Sequence, residues 1–174
     1  MSTSILVTYA SSYGSTQEVA EVIATTLREQ GVEVDLRPIR EVRMLAGYNA
    51  VVLGAPLYMC HWHKDARRFL SRYQSILTGG LPIAVFAGGP FGTGDEQAWQ
   101  EVRGQLDQEL AKFPWLTPVS VQLIGGKFDP AKLRFPYNLI PALRQMPASD
   151  LRDWTAIRAW ASTLAEKFQP AVAH

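Results

Sequence analysis

Apolar residues along this chain follow two rhythms that take turns from end to end. Continuous apolar runs occur at Ile5 to Tyr9, in NAVVLGAP, in LPIAVFAGG and in VSVQLIGG, and each has the length of a strand buried on both faces. VEVDLRPI alternates instead and reads as a further strand, with Pro38 near its end. Between these runs the apolar positions switch to helical spacing. Val19, Val22, Ile23 and Leu27 predict a helix from Thr16 that stops near Gly31. Ala66, Phe69, Leu70, Tyr73 and Leu77 share one face of a helix over 64–77, closed by Gly79 and Gly80. Trp99, Val102, Leu106 and Leu110 form the expected buried stripe of a helix over 96–113. Trp154, Ile157, Ala161 and Leu164 do the same for a last helix over 151–168.

Strand and helix therefore alternate, which predicts an α/β fold. Parallel neighbours need crossover connections, and helices supply them, so the expectation is a doubly wound, five-stranded parallel sheet flanked by helices. In such a sheet ligands bind beyond the carboxyl ends of the strands. The loops after the first, third and fourth strands therefore carry the functional information. The length of 174 residues suits a single domain spanning 1–174.

Composition narrows the functional classes. A net charge of +1 gives no general attraction for nucleic acid. Cys60 is the sole cysteine, which excludes an internal disulfide and a zinc-thiolate cluster, and no metal site is expected. The amino-terminal residues lack a basic leader pattern, and no apolar run approaches the roughly 20 residues of a transmembrane helix. The expected location is cytoplasmic, with peripheral membrane contact left open.

The first loop, Ala10-Ser11-Ser12-Tyr13-Gly14-Ser15-Thr16, leads straight into a helix. A helix start offers backbone N–H groups without intrahelical partners and the positive end of the helix dipole. Four hydroxyl side chains add donors, and Gly14 permits a positive φ. These are the components of a phosphate cradle, although a hydroxyl-rich turn with an N-cap has the same composition. The loop contains neither GK[ST] nor GxGxxG and no cation, which favours a single phosphate over a magnesium triphosphate. The other two loops, from Gly54 through Tyr58 to His63 and from Ala87 through Phe91 to Gly94, set aromatic residues among small ones and suit the two sides of a planar ring.

With these residues the chain resembles the flavodoxin-like superfamily. The phosphate loop has its [ST]-x-[TY]-G-x-T character in Ser11 to Thr16, and Gly54-Ala55-Pro56-Leu57-Tyr58 matches its G-[SA]-P-x-Y strand end. Within the superfamily it is similar to the branch that includes the menaquinone-dependent protoporphyrinogen oxidases, through VVLGAPLYMCHWHKDARRFL, IGGKFDPAKLRFP and DLRDWTAIRAWASTLA. The resemblance implies the strand order 2-1-3-4-5 and non-covalently bound FMN. It places the phosphate on Ser11, Ser12, Tyr13, Gly14, Ser15 and Thr16. It places Pro56, Leu57 and Tyr58 on one side of the flavin ring and Gly88, Gly89, Pro90, Phe91 and Gly92 on the other.

The implied activity is that of an FMN-dependent oxidoreductase or electron-transfer flavoprotein, working with a redox partner protein, a quinone or a small-molecule substrate. Quinone-coupled protoporphyrinogen oxidation is one alternative, and a flavodoxin-fold binding module without catalysis is another. Short-chain flavodoxins carry a glycine where this chain has Met59 and Cys60, which tilts the expectation toward two-electron chemistry. His61 and His63 are catalytic candidates as proton donors or substrate clamps, against a plainer role at a helix start. Lys127 to Arg144 mixes cations, aromatics and prolines, and reads as an irregular connection or a membrane or partner contact. Aromatics in the ring-flanking loops also leave room for a homo-oligomer that covers them.

Overall fold

The computed structural model of the chain describes residues 4–11, 14–58, 61–89, 95–128, 130–132, 139–145 and 148–168. In chain order, β1 (Ser4–Tyr9) leads to α1 (Ser15–Glu29), and β2 (Glu33–Pro38) leads to β3 (Ala50–Tyr58). A two-residue strand, β4 (His61–Trp62), precedes α2 (Lys64–Arg72) and α3 (Gln74–Thr78). Next come β5 (Ile83–Gly88), α4 (Glu96–Ala111) and β6 (Ser120–Ile124). The last part comprises β7 (Lys127–Phe128), α5 (Pro141–Arg144), β8 (Ser149–Asp150) and α6 (Trp154–Phe168).

The main sheet runs β2-β1-β3-β5-β6 with every pair parallel. Counted among the parallel strands alone, that is the expected order 2-1-3-4-5. Side chains alternate across each strand and divide the core in two. Ile5, Val7, Val52 and Phe86 face α1 and α6, while Leu6, Val51, Leu53 and Val85 face α2 and α4. The central strands are buried on both sides, which explains their unbroken apolar runs.

Several expectations need correction. The helix predicted over 64–77 is two helices, broken at Tyr73, whose backbone lies at φ −105 and ψ 18. The Tyr73 ring is pinned against Phe69 at 4.8 Å, and its hydroxyl donates to the Val42 carbonyl at 3.4 Å. These are tertiary anchors that periodicity does not report. The last helix starts at Trp154 rather than at 151, because Asp153 Oδ1 accepts the Ala156 N–H at 3.0 Å and caps it. β4 adds an antiparallel strand to the main sheet beyond the five expected, and β7 and β8 form a small ladder of their own. The β7–β8 ladder pairs Lys127 with Asp150 and Phe128 with Ser149.

Gly54 carries the closest packing in the centre of the sheet. A Cβ at this position would lie 1.8 Å from the tip of the Phe86 ring, which sits across β3 and meets Trp160 edge-on at 6.0 Å. Gly54→Ala is expected to destabilise the protein by about 1–3 kcal/mol through overpacking. Urea denaturation checks this, and shortening the ring with Phe86→Leu should reduce the effect of Gly54→Ala in the double variant.

Candidate functional site

The carboxyl ends of β1, β3, β5 and β6 meet at one edge of the sheet. After β1, the Ala10 N–H donates to the Gly54 carbonyl at 2.9 Å and stitches the first loop to β3. Ser11 Oγ then accepts the Gly14 N–H at 2.8 Å. Gly14 stands at φ 87 and ψ −13, a left-handed conformation, with open space where a Cβ would be. Ser15 begins α1, and Thr16 is buried. Ser12 and Tyr13, which complete the predicted cradle, lie outside the described residues.

The start of α1 differs from those of the other long helices. His63 caps α2, Asp95 caps α4 and Asp153 caps α6, each accepting a backbone N–H of the first turn. Among the described residues no side chain caps α1, whose N-cap is Gly14. Its first-turn N–H groups lie beside the hydroxyl residues Ser11, Ser15 and Thr16. An uncapped N-terminus with a left-handed, side-chain-free entry suits a phosphomonoester.

β3 ends in a hairpin rather than in a simple loop. Leu57 pairs with Trp62 and Tyr58 with His61, while Pro56 lies level with Gly88 of β5. Met59 and Cys60 lie outside the described residues. The hairpin is held by the buried Trp62, whose indole N–H donates to the Ala55 carbonyl at 2.9 Å. It is also held by Glu109 of α4, which is 2% exposed. Glu109 Oε2 accepts the Trp62 N–H at 3.2 Å, its Oε1 stands 3.2 Å from His61 Nδ1, and Lys112 pairs with the same Oε1. Burial pushes the Glu109 pKa up, but the bonds from Lys112, His61 and the Trp62 N–H outweigh that and hold it below its ordinary value.

The two histidines part company. His63 is half-buried, and its Nδ1 accepts the Asp65 N–H at 3.1 Å, so it serves the start of α2. Burial holds its pKa below the ordinary imidazole value. His61 lies on β4, with a side chain 61% exposed. On the third loop, Gly88 ends β5, and the Gly89 N–H donates to the Ile124 carbonyl at 2.8 Å. Pro90, Phe91 and Gly92 lie outside the described residues.

A cavity of about 20 Å³, room for one water molecule, joins these ends, lined by Ser15, Thr16, Pro56, Gly88, Gly125 and Arg152 among others. Arg152 was not legible as a site residue, since it lies far along the chain from the first loop. Its side chain is 4% exposed, with Nη1 3.0 Å from Glu18 Oε2 of α1. Of Lys127 to Arg144, the described parts are β7, a 3-10 turn at Pro130–Lys132, residues 139 and 140 and α5; residues 129 and 133–138 lie outside them. Among the described residues no helix is long and apolar enough to cross a membrane.

Known proteins agree with this architecture. Residues 6–140 match the family described as Flavodoxin domain. Protoporphyrinogen IX dehydrogenase [quinone] of Escherichia coli is 25% identical over 84 residues, which is 47% of this chain and 46% of that protein. The chain thus aligns with less than half the length of that curated relative. Oxidised Flavodoxin 1 of Bacillus cereus superposes with a TM-score of 0.56 at 19% identity, covering 98% of this chain and 100% of that one. A flavodoxin from the domain Archaea gives 0.58 at 16% identity, covering 95% and 98%. At these identities the two structures show the fold alone.

The Glu109 contacts carry a pH dependence. Its carboxyl is more acidic in the folded protein than in the unfolded chain, so its stabilisation is complete above the ordinary value of 4.5 and is lost as pH falls through the lower folded value. Glu109→Ala is expected to cost about 1–3 kcal/mol at neutral pH, because it leaves the buried Trp62 N–H without its acceptor. Urea melts from neutral to acid pH check this, and the gap between variant and wild type should narrow in acid.

Proposed function

The chain belongs to the family of flavodoxin domains, whose cofactor is FMN, and we propose that it is a single FMN-binding redox domain over residues 1–174 that passes electrons between a donor and an acceptor. The uncapped start of α1 carries this reading. It is the one long described helix whose first-turn donors are left by side chains, and it opens from β1 beside the ends of β3 and β5.

In this reading Ser11, Gly14, Ser15 and Thr16 hold the phosphate together with Ser12 and Tyr13. Pro56, Leu57 and Tyr58 cover one side of the ring, and Gly88, Gly89, Pro90, Phe91 and Gly92 cover the other. When bound, FMN supplies reversible electron uptake that no side chain of the chain can supply. The chain's own part is to bind and orient. Trp62 and Glu109 fix the hairpin that presents Pro56 to Tyr58, and the Gly89 bond to Ile124 fixes the start of the opposite loop. His61 is the residue positioned to hold or release a proton at the mouth of the site, at its ring nitrogen distal to Glu109. The site serves a redox partner protein, a quinone or a small substrate in the cytoplasm.

A second reading is quinone-coupled protoporphyrinogen oxidation, favoured by the 84-residue similarity to the Escherichia coli dehydrogenase. Flavin-dependent oxidation of protoporphyrinogen with a quinone acceptor separates it from general electron transfer.

The test of the cofactor is the visible spectrum after incubation with FMN and desalting, where a retained flavin spectrum is expected. Gly14→Asp is expected to abolish that retention with an unchanged far-UV circular dichroism spectrum. Aspartate tolerates the left-handed backbone better than most residues, but it sets a carboxylate where the phosphate belongs. Undiminished FMN affinity in this variant overturns the phosphate assignment.

A further inference from the structure

We propose that Arg152 is the cation of the phosphate site, exchanging its bond to Glu18 for one to the phosphate of a bound flavin mononucleotide. This rests on the FMN reading above and adds what the first loop lacks, since that loop contains no cation.

A buried guanidinium needs compensation, and arginine is seldom this enclosed without it. Arg152 has its compensation in two parts. Its Nε and Nη2 form a fork on Asp150, at 2.9 Å to Oδ1 and 2.8 Å to Oδ2. Its Nη1 donates to Glu18 Oε2 at 3.0 Å and to the Ser15 carbonyl at 3.4 Å. The Trp154 ring backs the group, with the guanidinium carbon 4.6 Å from its centre. Ser15 is the first residue of α1, so the cation sits at the positive end of a helix, where the dipole opposes it. An anion at that end relieves both the uncapped donors and the cation.

The two carboxylates are not equivalent. Asp150 belongs to β8, is paired in register with Lys127, and grips the guanidinium through both oxygens. Glu18 makes a single contact with Arg152, and its side chain is 49% exposed. Glu18 can therefore turn to solvent without disturbing the fold, while Asp150 keeps Arg152 aimed at the first turn of α1. Arg152 shares the cavity lining with Ser15, Thr16 and Gly88, where the phosphate loop meets the ends of β5 and β6. The exchange keeps one anion on Nη1 throughout. It also makes Asp150 of the β7–β8 ladder, which holds Arg152 in place, part of the cofactor site.

Titration of the apo-protein with FMN and with riboflavin, followed by quenching of flavin fluorescence, separates the phosphate from the ring. Arg152→Met is expected to weaken FMN at least about tenfold, the scale of a charge-assisted hydrogen bond, and to leave riboflavin unchanged. Glu18→Gln removes the competing anion and is expected to tighten FMN severalfold, again without effect on riboflavin. Equal FMN affinity in wild type and Arg152→Met overturns the proposal, and so does a parallel loss of both flavins, which marks a merely structural role. Should Arg152→Met fail to fold, Glu18→Gln decides, because unchanged or weaker FMN binding there overturns the exchange. A wild-type protein that binds neither flavin overturns the FMN reading, and this inference with it, whereas wild-type binding with insensitive variants overturns this inference alone.

Discussion

Parallel pairing is the constraint on which the rest of this molecule depends. A strand that pairs in parallel with its neighbour must be reached by a crossover from the opposite edge, so every carboxyl end of the main sheet lies on the same side. Loops that are distant in sequence thereby become neighbours without any attraction between them. The loop after β1, the hairpin after β3 and the glycines after β5 converge because β1, β3 and β5 are adjacent in the order β2-β1-β3-β5-β6. The core serves that arrangement. Burial of both faces of the central strands fixes their register, since a slip by one residue would exchange Ile5 and Val7 for Leu6 and Thr8 on each face.

Convergence alone does not make the edge rigid, and the hairpin after β3 shows what does. A two-residue strand such as β4 has too few ladder bonds to persist by itself. Its position is fixed by buried polar contacts: the Trp62 indole on the Ala55 carbonyl and the Trp62 N–H on Glu109. The first ties the hairpin back to its own strand, and the second ties it to α4 on the face of the sheet. A charged residue in the buried stripe of α4 would be a liability without partners, and Glu109 has three.

The parts of the fold legible in the sequence were those decided by local periodicity. β1, β3, β5 and α1 were readable because each buries a regular set of side chains. The break at Tyr73 was not, since the helical spacing of Leu77 continues through it and the cause is a contact with Val42. β4 was hidden for the same reason, because His61-Trp62 has no pattern until Glu109 is beside it. For the site, the phosphate loop could be read from its glycine, its hydroxyls and the helix that follows. Arg152 could not be read so, because 137 positions separate it from Ser15 and tertiary pairing, including the β7–β8 ladder and the Leu151 bond to the Gly126 carbonyl, brings them together.

The distribution of helix caps carries the last step. In three of the long helices, α2, α4 and α6, the side chain of His63, Asp95 or Asp153 accepts a first-turn backbone N–H. α1 begins with a glycine, which contributes conformational freedom and no acceptor. Among the described residues no side chain caps it, which lowers the stability of the ligand-free protein relative to a capped helix, typically by about 1 kcal/mol. An anion bound at this helix start returns that stability and adds its own binding energy to the folded state alone. Cofactor binding therefore adds to fold stability by an amount set by its affinity and concentration. A residue that holds the anion therefore changes the stability gained on adding a phosphorylated ligand, whereas a residue that merely holds the fold changes stability with and without it.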